Sequence, residues 1–574
     1  IKIAKEFIKS KNPNIEEDIK FANLNDPKVY KMLSKGLTRG IFQIESSGMK
    51  DVLNNLKANK FEDIVALLAL YRPGPLDSGM VDEYILRKNR KKKTDYPAPE
   101  LKEILQETHG LFVYQEQIMK TASVLANFSL GEADLLRRAM GKKKTSEMLA
   151  QRERFLSGAE SNNFSPKIAH EIFDTMEKFA EYSFNKSHST AYAIITFQTA
   201  FLKTYYPCEF MAALMTTEIN TSDKIVSNIS ECKEMGIEIL SPDINESGSG
   251  FTPIDNSIRF GLSAIKNLGI NIVNNIIKSR DGSNKFLNIF EFLSLMDSRK
   301  MNKKSLESLI KSGGLDCFNY SRATLYNNME LLLSYVGHNN KDKDASQETL
   351  FELDEVIAEP PLEESKEWLP HDLSKYEIEI LGYPVKINPL EICQHKLSQI
   401  NYRKISNIKL EDEKAAVTIA AFISSINIKT SKRNSKKYAI INLEDSSDVL
   451  EAIIFNDEFE KYESRLIVGM PLLLTGMVEK TDENTKLIIN SFNETDAVQI
   501  INDVPVPIKI NLKNDISLKQ ANNLKAIFNK YPGESPIRIS FRENGLKATI
   551  SVNDFKVDNC EELHEEISRT VGNN

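Results

Sequence analysis

Cysteine pairs and long hydrophobic runs are both missing from this sequence. The 574 residues include five cysteines, which are widely scattered, and no two of them form a CxxC pair. This spacing argues against a zinc knuckle or a disulfide framework and favours a reducing, cytoplasmic compartment. No stretch approaches the ~20 apolar residues that a transmembrane helix needs, and no charged-then-apolar signal segment follows Ile1. We therefore expect a cytoplasmic protein that has no membrane partner.

The signatures of several enzyme classes are missing as well. The sequence contains no Ser/His/Asp signature, no Walker loop and no dinucleotide fingerprint. Two-metal phosphoryl chemistry needs carboxylates that hold both ions close together. The pairs Asp342/Asp344 and Asp445/Asp448 lie in a polar stretch and at a predicted turn, so neither is a credible metal site. We predict that this chain binds no metal ion and contains no catalytic residue.

Length and charge indicate a soluble protein of several domains. A chain of 574 residues is too long for one hydrophobic core, and 41% of its residues are hydrophobic while 27% are charged. The net charge of −7 argues against a protein that coats DNA uniformly. Local basic grooves stay compatible with it, because phosphate binding depends on where the charges lie. The first residue is Ile1 rather than Met, so we expect a truncated sequence.

Hydrophobic periodicity predicts a multidomain α+β fold. The pattern is mainly helical over residues 1–241, and 242–336 contain shorter helices. Residues 337–415 begin with a polar, acidic stretch that reads as a linker up to about Trp368. Five candidate strands within 416–500 predict a small barrel of the OB type. Residues 501–574 predict a strand, a helix, a hairpin and a helix, which together make a small α/β domain.

Several predicted helices carry signals at their ends. Ser129 and Glu132 form a capping box before a helix that we expect to end at Gly141. Ser189 is expected to open a helix that is apolar on nearly all sides and that ends before Pro207. Such a helix is expected to be buried.

Basic residues recur where these helices end. Arg72 precedes Pro73-Gly74-Pro75, a stiff turn in which the glycine lets another backbone approach. The cations of 137–144 lie at a helix C-terminus and just beyond, and we favour phosphate binding for them. The alternative is that basic residues simply suit helix C-termini. We interpret the run 87–93 as a solvated face.

The segment Asn185-Lys186-Ser187-His188 lies immediately before the predicted buried helix. A helix N-terminus offers free N–H groups and a partial positive charge, to which Lys186 and His188 add. This combination predicts a cradle for a triphosphate or a backbone phosphate. An ordinary serine N-cap with a surface lysine and histidine is the alternative, and it is the stronger one when the segment is taken alone.

Two further segments carry possible binding functions. Residues 265–276, IKNLGINIVNNI, predict two short helices joined by a tight turn, which would present N–H groups to a DNA phosphate without reading bases. Asn267 and Asn271 stand where such hairpins often carry glycine, and Asn tolerates left-handed backbone. A purely structural hairpin is equally compatible with the pattern. In the polar stretch, Leu350 and Phe351 of QETLF have no core to join and predict a docking peptide.

Six blocks of the sequence, all within the first 215 residues, resemble the alpha subunit of bacterial DNA polymerase III, the C-family replicase. Weaker similarity runs through the hairpin, QETLF and the OB segment, so that the resemblance covers essentially the whole chain. The six blocks occur in the same order as in the family. They are GIFQIESSGM (40–49), FEDIVALLALYRPGPLDSGM (61–80), YQEQIM (114–119), LLRRAMGKKK (135–144), FAEYSFNKSHSTAYA (179–193) and YPCEFMAALM (206–215).

The resemblance implies a role for each segment. Residues 1–241 would be the polymerase fingers, 242–336 the helix-hairpin-helix and clamp-binding domain, and 416–500 an OB domain near single-stranded template. Residues 501–574 would bind the tau subunit of the clamp loader. The implied nucleotide-binding residues are Arg72, Gly74, Arg137, Arg138, Lys142, Asn185, Lys186 and His188. The implied DNA-binding residues are Lys266, Asn267, Gly269, Lys429, Lys432, Arg433, Lys436, Lys437 and Tyr438. The peptide that docks on the sliding clamp would use Gln347, Leu350 and Phe351.

The family's palm domain, with its three metal-binding aspartates, would precede Ile1. The resemblance thus implies a DNA-directed DNA polymerase that uses Mg²⁺, whose palm, PHP domain and thumb lie outside this sequence. We expect this part alone to bind no Mg²⁺ and to be inactive, while it contacts dNTP, primer-template DNA, the sliding clamp and the clamp loader. The alternative is a stand-alone, non-catalytic nucleic-acid-binding adaptor. An in-frame palm upstream of Ile1 in the genomic DNA would separate the two.

Overall fold

The computed structural model confirms the predicted α+β class. It describes the chain except residues 143–144, 181, 284, 298–299, 337–358, 387, 393–396, 398–399, 409–412, 431–435, 446, 464–465, 481–484, 493–507, 513–516, 544–545, 559 and 572–574. The chain divides into two compact units. Unit 1 comprises residues 1–219, 231–238 and 250–259, and unit 2 comprises 220–230, 239–249 and 260–574. Across the described residues, we find no helix long and apolar enough to cross a lipid bilayer.

Unit 1 is built almost entirely from helices. Two short antiparallel strands, β2 (Thr252–Ile254) and β3 (Ser257–Arg259), form its hairpin. Helix α15 (Ser222–Glu234) and strand β1 (Glu238–Leu240) contain residues of both units. Single 3₁₀ turns lie at Pro99–Leu101 and Gln106–Thr108. The remaining helices are α1 Lys2–Lys9, α2 Ile15–Lys20, α3 Pro27–Leu33, α4 Ser47–Leu56, α5 Phe61–Leu70, α6 Pro73–Asp77, α7 Met80–Lys88, α8 Lys102–Leu105, α9 Gln115–Ala126, α10 Leu130–Lys142, α11 Thr145–Ser161, α12 Pro166–Ala180, α13 Lys186–Tyr205 and α14 Pro207–Thr217.

The core of unit 1 is centred on α5, which packs against α13. The sequence of α5, FEDIVALLAL, is apolar on nearly every side, so burial on all faces is what stabilises it. Its one buried carboxylate, Asp63, accepts hydrogen bonds from two backbone N–H groups and lies 2.8 Å from Nζ of Lys88. A second cluster is formed by α9, α10, α11 and α12. The two clusters hold the ends of α9, α10 and α13 in place.

Unit 2 begins with short helices around the predicted hairpin. A 3₁₀ turn, Leu262–Ala264, precedes α16 (Ile270–Ser283), and α17 (Ile289–Ser294), α18 (Lys303–Lys311) and α19 (Arg322–Asn327) follow. A further 3₁₀ turn lies at Asp316–Phe318. Beyond the undescribed residues 337–358 come α20 (Pro370–Leu381), α21 (Pro389–Ile392) and α22 (Ile405–Ile408).

Residues 359–368 lie against α19, although we expected a linker up to Trp368. Asn328 exchanges two hydrogen bonds with the backbone of Glu363, and Ser365 N–H donates to Oγ1 of Thr324 over 2.9 Å. The Trp368 ring contacts Tyr326, with 5.4 Å between ring centroids. The segment's polar side chains and backbone thus find partners on a helix, which a composition-based linker prediction does not foresee.

The five predicted OB strands form a closed barrel of order β4-β5-β6-β8-β7. The neighbours are antiparallel except β6 and β8, which are parallel. In β6, Leu450, Ala452 and Ile454 alternate inward, which is the period of a strand with one buried face. Helix α23 (Asn456–Tyr462) packs against the barrel. The strands are β4 Ala416–Thr430, β5 Lys437–Glu444, β6 Val449–Ile454, β7 Pro471–Lys480 and β8 Thr485–Phe492.

The last segment is the predicted small α/β domain. Its sheet has the order β11-β10-β9, in which β9 (Ile508–Leu512) is parallel and β11 (Leu546–Val557) antiparallel to β10 (Pro532–Glu543). Helices α24 (Leu518–Lys530) and α25 (Glu561–Val571) pack together. The predicted Asn-Gly turn of the hairpin lies at 544–545, outside the described residues.

Two predicted helix ends were wrong. Helix α10 continues to Lys142, so Gly141 lies within it and is not its C-cap. Helix α13 begins at Lys186, where Asn185 is the N-cap, and Ser189 lies buried in the first turn. The helix is also less buried than expected, since Ile194 is 40% exposed. The capping box of Ser129 and Glu132 is confirmed, with hydrogen bonds of 2.8 and 3.3 Å.

Candidate nucleotide and nucleic-acid sites

Unit 1 contains a cavity of about 570 Å³ beside the N-terminus of α13. Its wall combines aromatic rings with the side chains of Arg72 and His188, two of the residues singled out in the sequence. A cavity of this size with a few convergent polar groups is typical of a small-molecule site. Among its lining residues are Glu45, Tyr71, Arg72, Phe184, His188 and Tyr192.

The guanidinium of Arg72 is held in the cavity wall. Its Nε donates to the carbonyl of Ala69 over 2.9 Å and its Nη2 to the carbonyl of Tyr182 over 2.8 Å. The guanidinium carbon lies 4.4 Å from the ring centroid of Phe184, and burial lowers the pKa of Arg72. These contacts fix the position of the cation, and they show that the side chain also stabilises the wall.

Gly74 permits a close approach, but by an aromatic ring and not by the backbone that we expected. A Cβ atom at this position would lie 2.4 Å from Cδ1 of Tyr182. The residues after Arg72 form the short helix α6, for which Arg72 is the N-cap residue. A side chain larger than hydrogen at position 74 would therefore displace the Tyr182 ring.

The N-terminus of α13 is occupied by carboxylates of the chain itself. Both carboxylate oxygens of Glu116 accept from the N–H of Lys186, over 3.1 and 3.0 Å, and Asn185 Nδ2 donates to Glu116 over 3.1 Å. Oδ1 of Asn185 accepts from the N–H of His188 over 2.9 Å. The ammonium of Lys186 donates to Glu107 over 2.7 Å. Glutamate carboxylates therefore lie where the sequence predicted an anion site, and phosphate binding there stays a prediction.

The His188 ring lies between two aromatic rings. Its centroid is 4.4 Å from that of Tyr192 and 5.4 Å from that of Phe184. The residue is exposed and lines the cavity. These contacts orient the imidazole toward the same space as Arg72.

Helix α10 contributes a second basic group. Arg137 donates to Oδ1 of Asp134 and, over 3.2 Å, to Oε1 of Gln115. Arg138 is exposed and pairs with Asp134 over 2.8 Å. Lys142 is the last residue of α10, and nothing is described of its side chain.

A short backbone bridge connects these groups. The N–H of Phe184 donates to the carbonyl of Val113, and the N–H of Gln115 donates to the carbonyl of Phe184, each over 2.9 Å. The bridge places Gln115 and Glu116 beside the segment that carries Asn185, Lys186 and His188. Arg72, Arg137, Asn185, Lys186 and His188 are thereby brought together around one segment of chain.

Sequence reasoning missed Glu107 and Glu116. Glu116 lies in the first turn of α9, where acidic residues are common because they complement the helix dipole, and Glu107 lies in the 3₁₀ turn Gln106–Thr108. Nothing in the local sequence indicates that these two glutamates contact Lys186 at the start of α13, far along the chain. The block YQEQIM, which contains Glu116, was the available signal.

The carboxylates of this region do not fit a two-metal site. Glu107 is paired with Lys186, Glu116 with the backbone of α13, and Asp134 with two arginines. Within the part of the chain that the structure describes, no group of three or more His, Cys, Asp or Glu side chains is placed to hold a metal ion. Whether this chain binds Mg²⁺ stays a prediction.

The hairpin of unit 2 differs in part from its prediction. Its first helix is a single 3₁₀ turn, and the left-handed residue is Asn267, with φ +64°. Lys266 donates from Nζ to the carbonyl of Glu379 and from its N–H to that of Ile380, so it anchors the turn on α20. Lys266, Asn267 and Gly269 are exposed. The N–H groups of Asn267 and Gly269 lie just before α16, as a phosphate contact requires.

The OB barrel carries its candidate residues on β4 and β5. Lys429 is the register partner of Tyr438, and Lys437 is the exposed first residue of β5. Lys436 is exposed, whereas Lys432 and Arg433 lie outside the described residues. Phe455, which the sequence reasoning missed, is 48% exposed and stacks on Tyr438 with 6.2 Å between ring centroids. The docking peptide residues Gln347, Leu350 and Phe351 also lie outside the described part.

Comparisons with known proteins agree with this arrangement of segments. A family described as the bacterial DNA polymerase III alpha subunit finger domain matches residues 1–163. A helix-hairpin-helix motif matches 236–325, and an OB-fold nucleic acid binding domain matches 417–495.

Curated relatives extend the similarity over most of the chain. DNA polymerase III subunit alpha of Borreliella burgdorferi is 35% identical over 96% of this chain and 48% of the relative. The protein of the same name from Aquifex aeolicus is 39% identical over 85% of this chain and 41% of its own length. That from Escherichia coli K12 is 38% identical over 83% and 42%. The chain spans about half the length of these relatives, and it belongs to the bacterial DNA polymerase III alpha subunit family.

Proposed function

We propose that this chain forms the part of a replicative DNA-directed DNA polymerase that holds the incoming nucleotide and the DNA. The observation that carries this proposal is that Arg72 and His188 line one cavity beside the helix start that carries Lys186. Arg72 lies within residues 1–163, which match the finger domain. Cations and a helix N-terminus suit a triphosphate, and aromatic rings suit a base. We assign no residue of this chain to the chemical step, nucleotidyl transfer with Mg²⁺.

The remaining segments supply contacts along the DNA and to partners. The exposed turn before α16 suits a phosphate of duplex DNA, and the Tyr438–Phe455 face of the barrel suits single-stranded template. Gln347, Leu350 and Phe351 would dock on the sliding clamp, and the domain of 501–574 would bind the tau subunit of the clamp loader. The protein would act in the cytoplasm. The boundaries proposed for these domains are 1–241, 242–336, 337–415, 416–500 and 501–574.

Primer extension and DNA binding together test whether this chain binds DNA without catalysing synthesis. The chain alone, with a primed template, Mg²⁺ and all four dNTPs, is expected to add no nucleotide, because among the described residues no acidic cluster is placed to hold metal ions. The same preparation is expected to bind the primed template, with an affinity that falls as salt rises. Robust extension would contradict the proposed inactivity, and an absence of binding to the primed template at low salt would contradict the proposed DNA contacts.

A variant pair tests the nucleotide contact. Lys186→Gln is expected to weaken dNTP binding, whereas Lys120→Gln removes the same charge from the exposed side of α9 and serves as the matched control. Calorimetry measures both. Equal affinities of the two variants would remove Lys186 from the proposed site.

A further inference from the structure

Two carboxylates occupy the place that a phosphate is proposed to take. Glu116 bonds the first N–H of α13, and Glu107 bonds the ammonium of Lys186 at 2.7 Å. Both glutamates come from a part of the chain far from α13 in sequence, in the 3₁₀ turn Gln106–Thr108 and in the first turn of α9. The positive end of α13 and its nearest cation are therefore neutralised within the molecule.

Helix capping alone does not account for this arrangement. The N-cap of α13 is already supplied by Asn185, whose Oδ1 accepts the N–H of His188. The Glu116 carboxylate adds a full negative charge at the same helix end, where a carboxylate and a phosphate interact with the same N–H groups. Glu107 places a negative charge against the ammonium of Lys186, whose side chain is 39% exposed and can be reached from solvent.

A phosphate that binds Lys186 meets both carboxylates. Its oxygens would compete with Glu107 for the ammonium, and they would be repelled by Glu116 at the helix end. The ammonium of Lys186 also lies 5.5 Å from the ring centroid of Tyr114, which sits between the two glutamates in sequence and holds the cation in position during such an exchange.

We propose that Glu107 and Glu116 are positioning residues that act as internal anions. They hold Lys186 and the N-terminus of α13 in place while no nucleotide is bound, and a triphosphate then exchanges with them. The inference rests on the proposed nucleotide site, and it adds that the two glutamates set the affinity of this site for a triphosphate. The two glutamates lower the affinity for any polyphosphate, because each phosphate contact replaces an existing ion pair or hydrogen bond.

Inorganic tripolyphosphate is the probe, titrated by calorimetry into the whole 574-residue chain at low salt with a chelator present. Glu107→Gln and Glu116→Gln each remove one charge, and the glutamine at 116 keeps an oxygen that accepts from Lys186 N–H. We expect each variant to bind about fivefold more tightly than the wild type, as removal of one nearby like charge predicts. Glu103→Gln, an exposed residue of α8, is the matched control and is expected to leave the affinity unchanged.

The outcomes separate this inference from the proposed function. If Lys186→Gln weakens binding but neither glutamate variant tightens it, the exchange is wrong and the nucleotide site stands. If Lys186→Gln leaves the affinity unchanged in the wild type and in both glutamate variants, the exchange and the proposed nucleotide site are both wrong. Glu107→Gln provides the decisive measurement if Glu116→Gln unfolds, since Glu107 bonds a side chain and not the helix backbone.

Discussion

The guanidinium of Arg72 lies over the ring of Phe184, 4.4 Å from its centroid, and donates to the carbonyl of the neighbouring Tyr182. The pair joins the end of α5 to the segment that carries the candidate nucleotide residues. Because the arginine is bonded to two carbonyls, its first effect on the site is to hold that segment in position.

Arg72→Lys is expected to loosen the segment around Phe184. Lysine keeps the charge but lacks the planar fork that reaches two carbonyls and stacks on a ring. We expect the opening free energy of the Phe184 and Gln115 amides to fall by about 1–2 kcal/mol, the sum of a hydrogen bond and a cation–π contact. Hydrogen exchange measures it, with Arg90→Lys, an exposed arginine, as the control. Unchanged protection of both amides would contradict a holding role.

His109 is expected to make the local stability of unit 1 dependent on pH. Burial, followed by the nearby Lys60, lowers the pKa of His109 below its ordinary value of 6.5. The ring lies 5.3 Å from that of Tyr84, centroid to centroid. The charged groups that act on the imidazole are Lys60, Asp63, Lys88 and Arg87.

The direction in which stability changes with pH follows from the protonation of His109 in the folded and in the unfolded chain. As pH falls through 6.5, the unfolded chain takes up a proton at His109 while the folded chain does not, so stability present above this pH is lost below it. Asn tolerates the positive φ of +54° at this position, so His109→Asn is the chosen variant. Hydrogen exchange of residues 105–113 at pH 5.5–7.5 is expected to lose protection on acidification in the wild type only. The same acid dependence in both proteins would contradict the prediction.

Phe455 is expected to stack on a base of single-stranded DNA. Phe455→Ala removes an aromatic platform, and stacking of about 1–3 kcal/mol per base predicts a loss of roughly tenfold in affinity. Tyr438→Ala is expected to act in the same direction. Fluorescence anisotropy with labelled oligo(dT) measures both, and Met477→Ala, which is 42% exposed on β7, is the control. An equal loss for Met477→Ala would show a general effect on the barrel.

Leu350→Ala combined with Phe351→Ala is expected to abolish binding to the sliding clamp, because the two apolar side chains are the proposed anchors. Surface plasmon resonance with immobilised clamp measures it. Leu353→Ala combined with Val356→Ala removes two apolar side chains just beyond the peptide and is expected to leave the affinity unchanged. An unaltered affinity of the first variant would refute the assignment of the peptide.

Substitution of Arg322 is expected to destabilise unit 2 strongly. It is 1% exposed, bonds both carboxylate oxygens of Asp316 and donates to Glu377 over 2.9 Å. Arg322→Met leaves a buried carboxylate at Glu377 without its cation, a change that costs about 3–5 kcal/mol.

Fluorescence of Trp368 during urea unfolding reports this unit, because the chain contains one tryptophan and its ring packs on Tyr376. Adding Glu377→Gln to Arg322→Met is expected to restore part of the loss. Lys304→Met, on the exposed side of α18, is the control. A loss no larger than that of Lys304→Met would show that the network contributes little.

Local patterns were sufficient for the fold class and for the barrel. The alternation of Leu450, Ala452 and Ile454 is a property of neighbouring residues, and so is the capping box of Ser129 and Glu132. The start of α13 was misplaced because Asn185 and Ser189 are both good N-cap residues. The backbone bridge of Phe184 and the Glu116 carboxylate stabilise the helix start after Asn185, and a local sequence pattern does not contain these contacts.

The candidate site was predictable as residue types and not as contacts. Arg72, Lys186 and His188 could be named, since cations beside turns and helix starts suggest phosphate binding. Their partners Tyr182, Glu107 and Glu116 come from distant parts of the chain, and only the packed structure brings them together.

The attachment of residues 359–368 to α19 has a consequence for how the chain tolerates changes of length. Val336, which is buried, and Glu363, which bonds Asn328, both belong to unit 2, so the chain is anchored in that unit on each side of 337–358. An insertion between the two anchors is expected to cost little more than loop-closure entropy, about 0.6 kcal/mol for each doubling of the connecting length. Homologous or engineered chains are therefore expected to vary the length between these two anchors, and with it the reach of the proposed docking peptide, at little cost to folding.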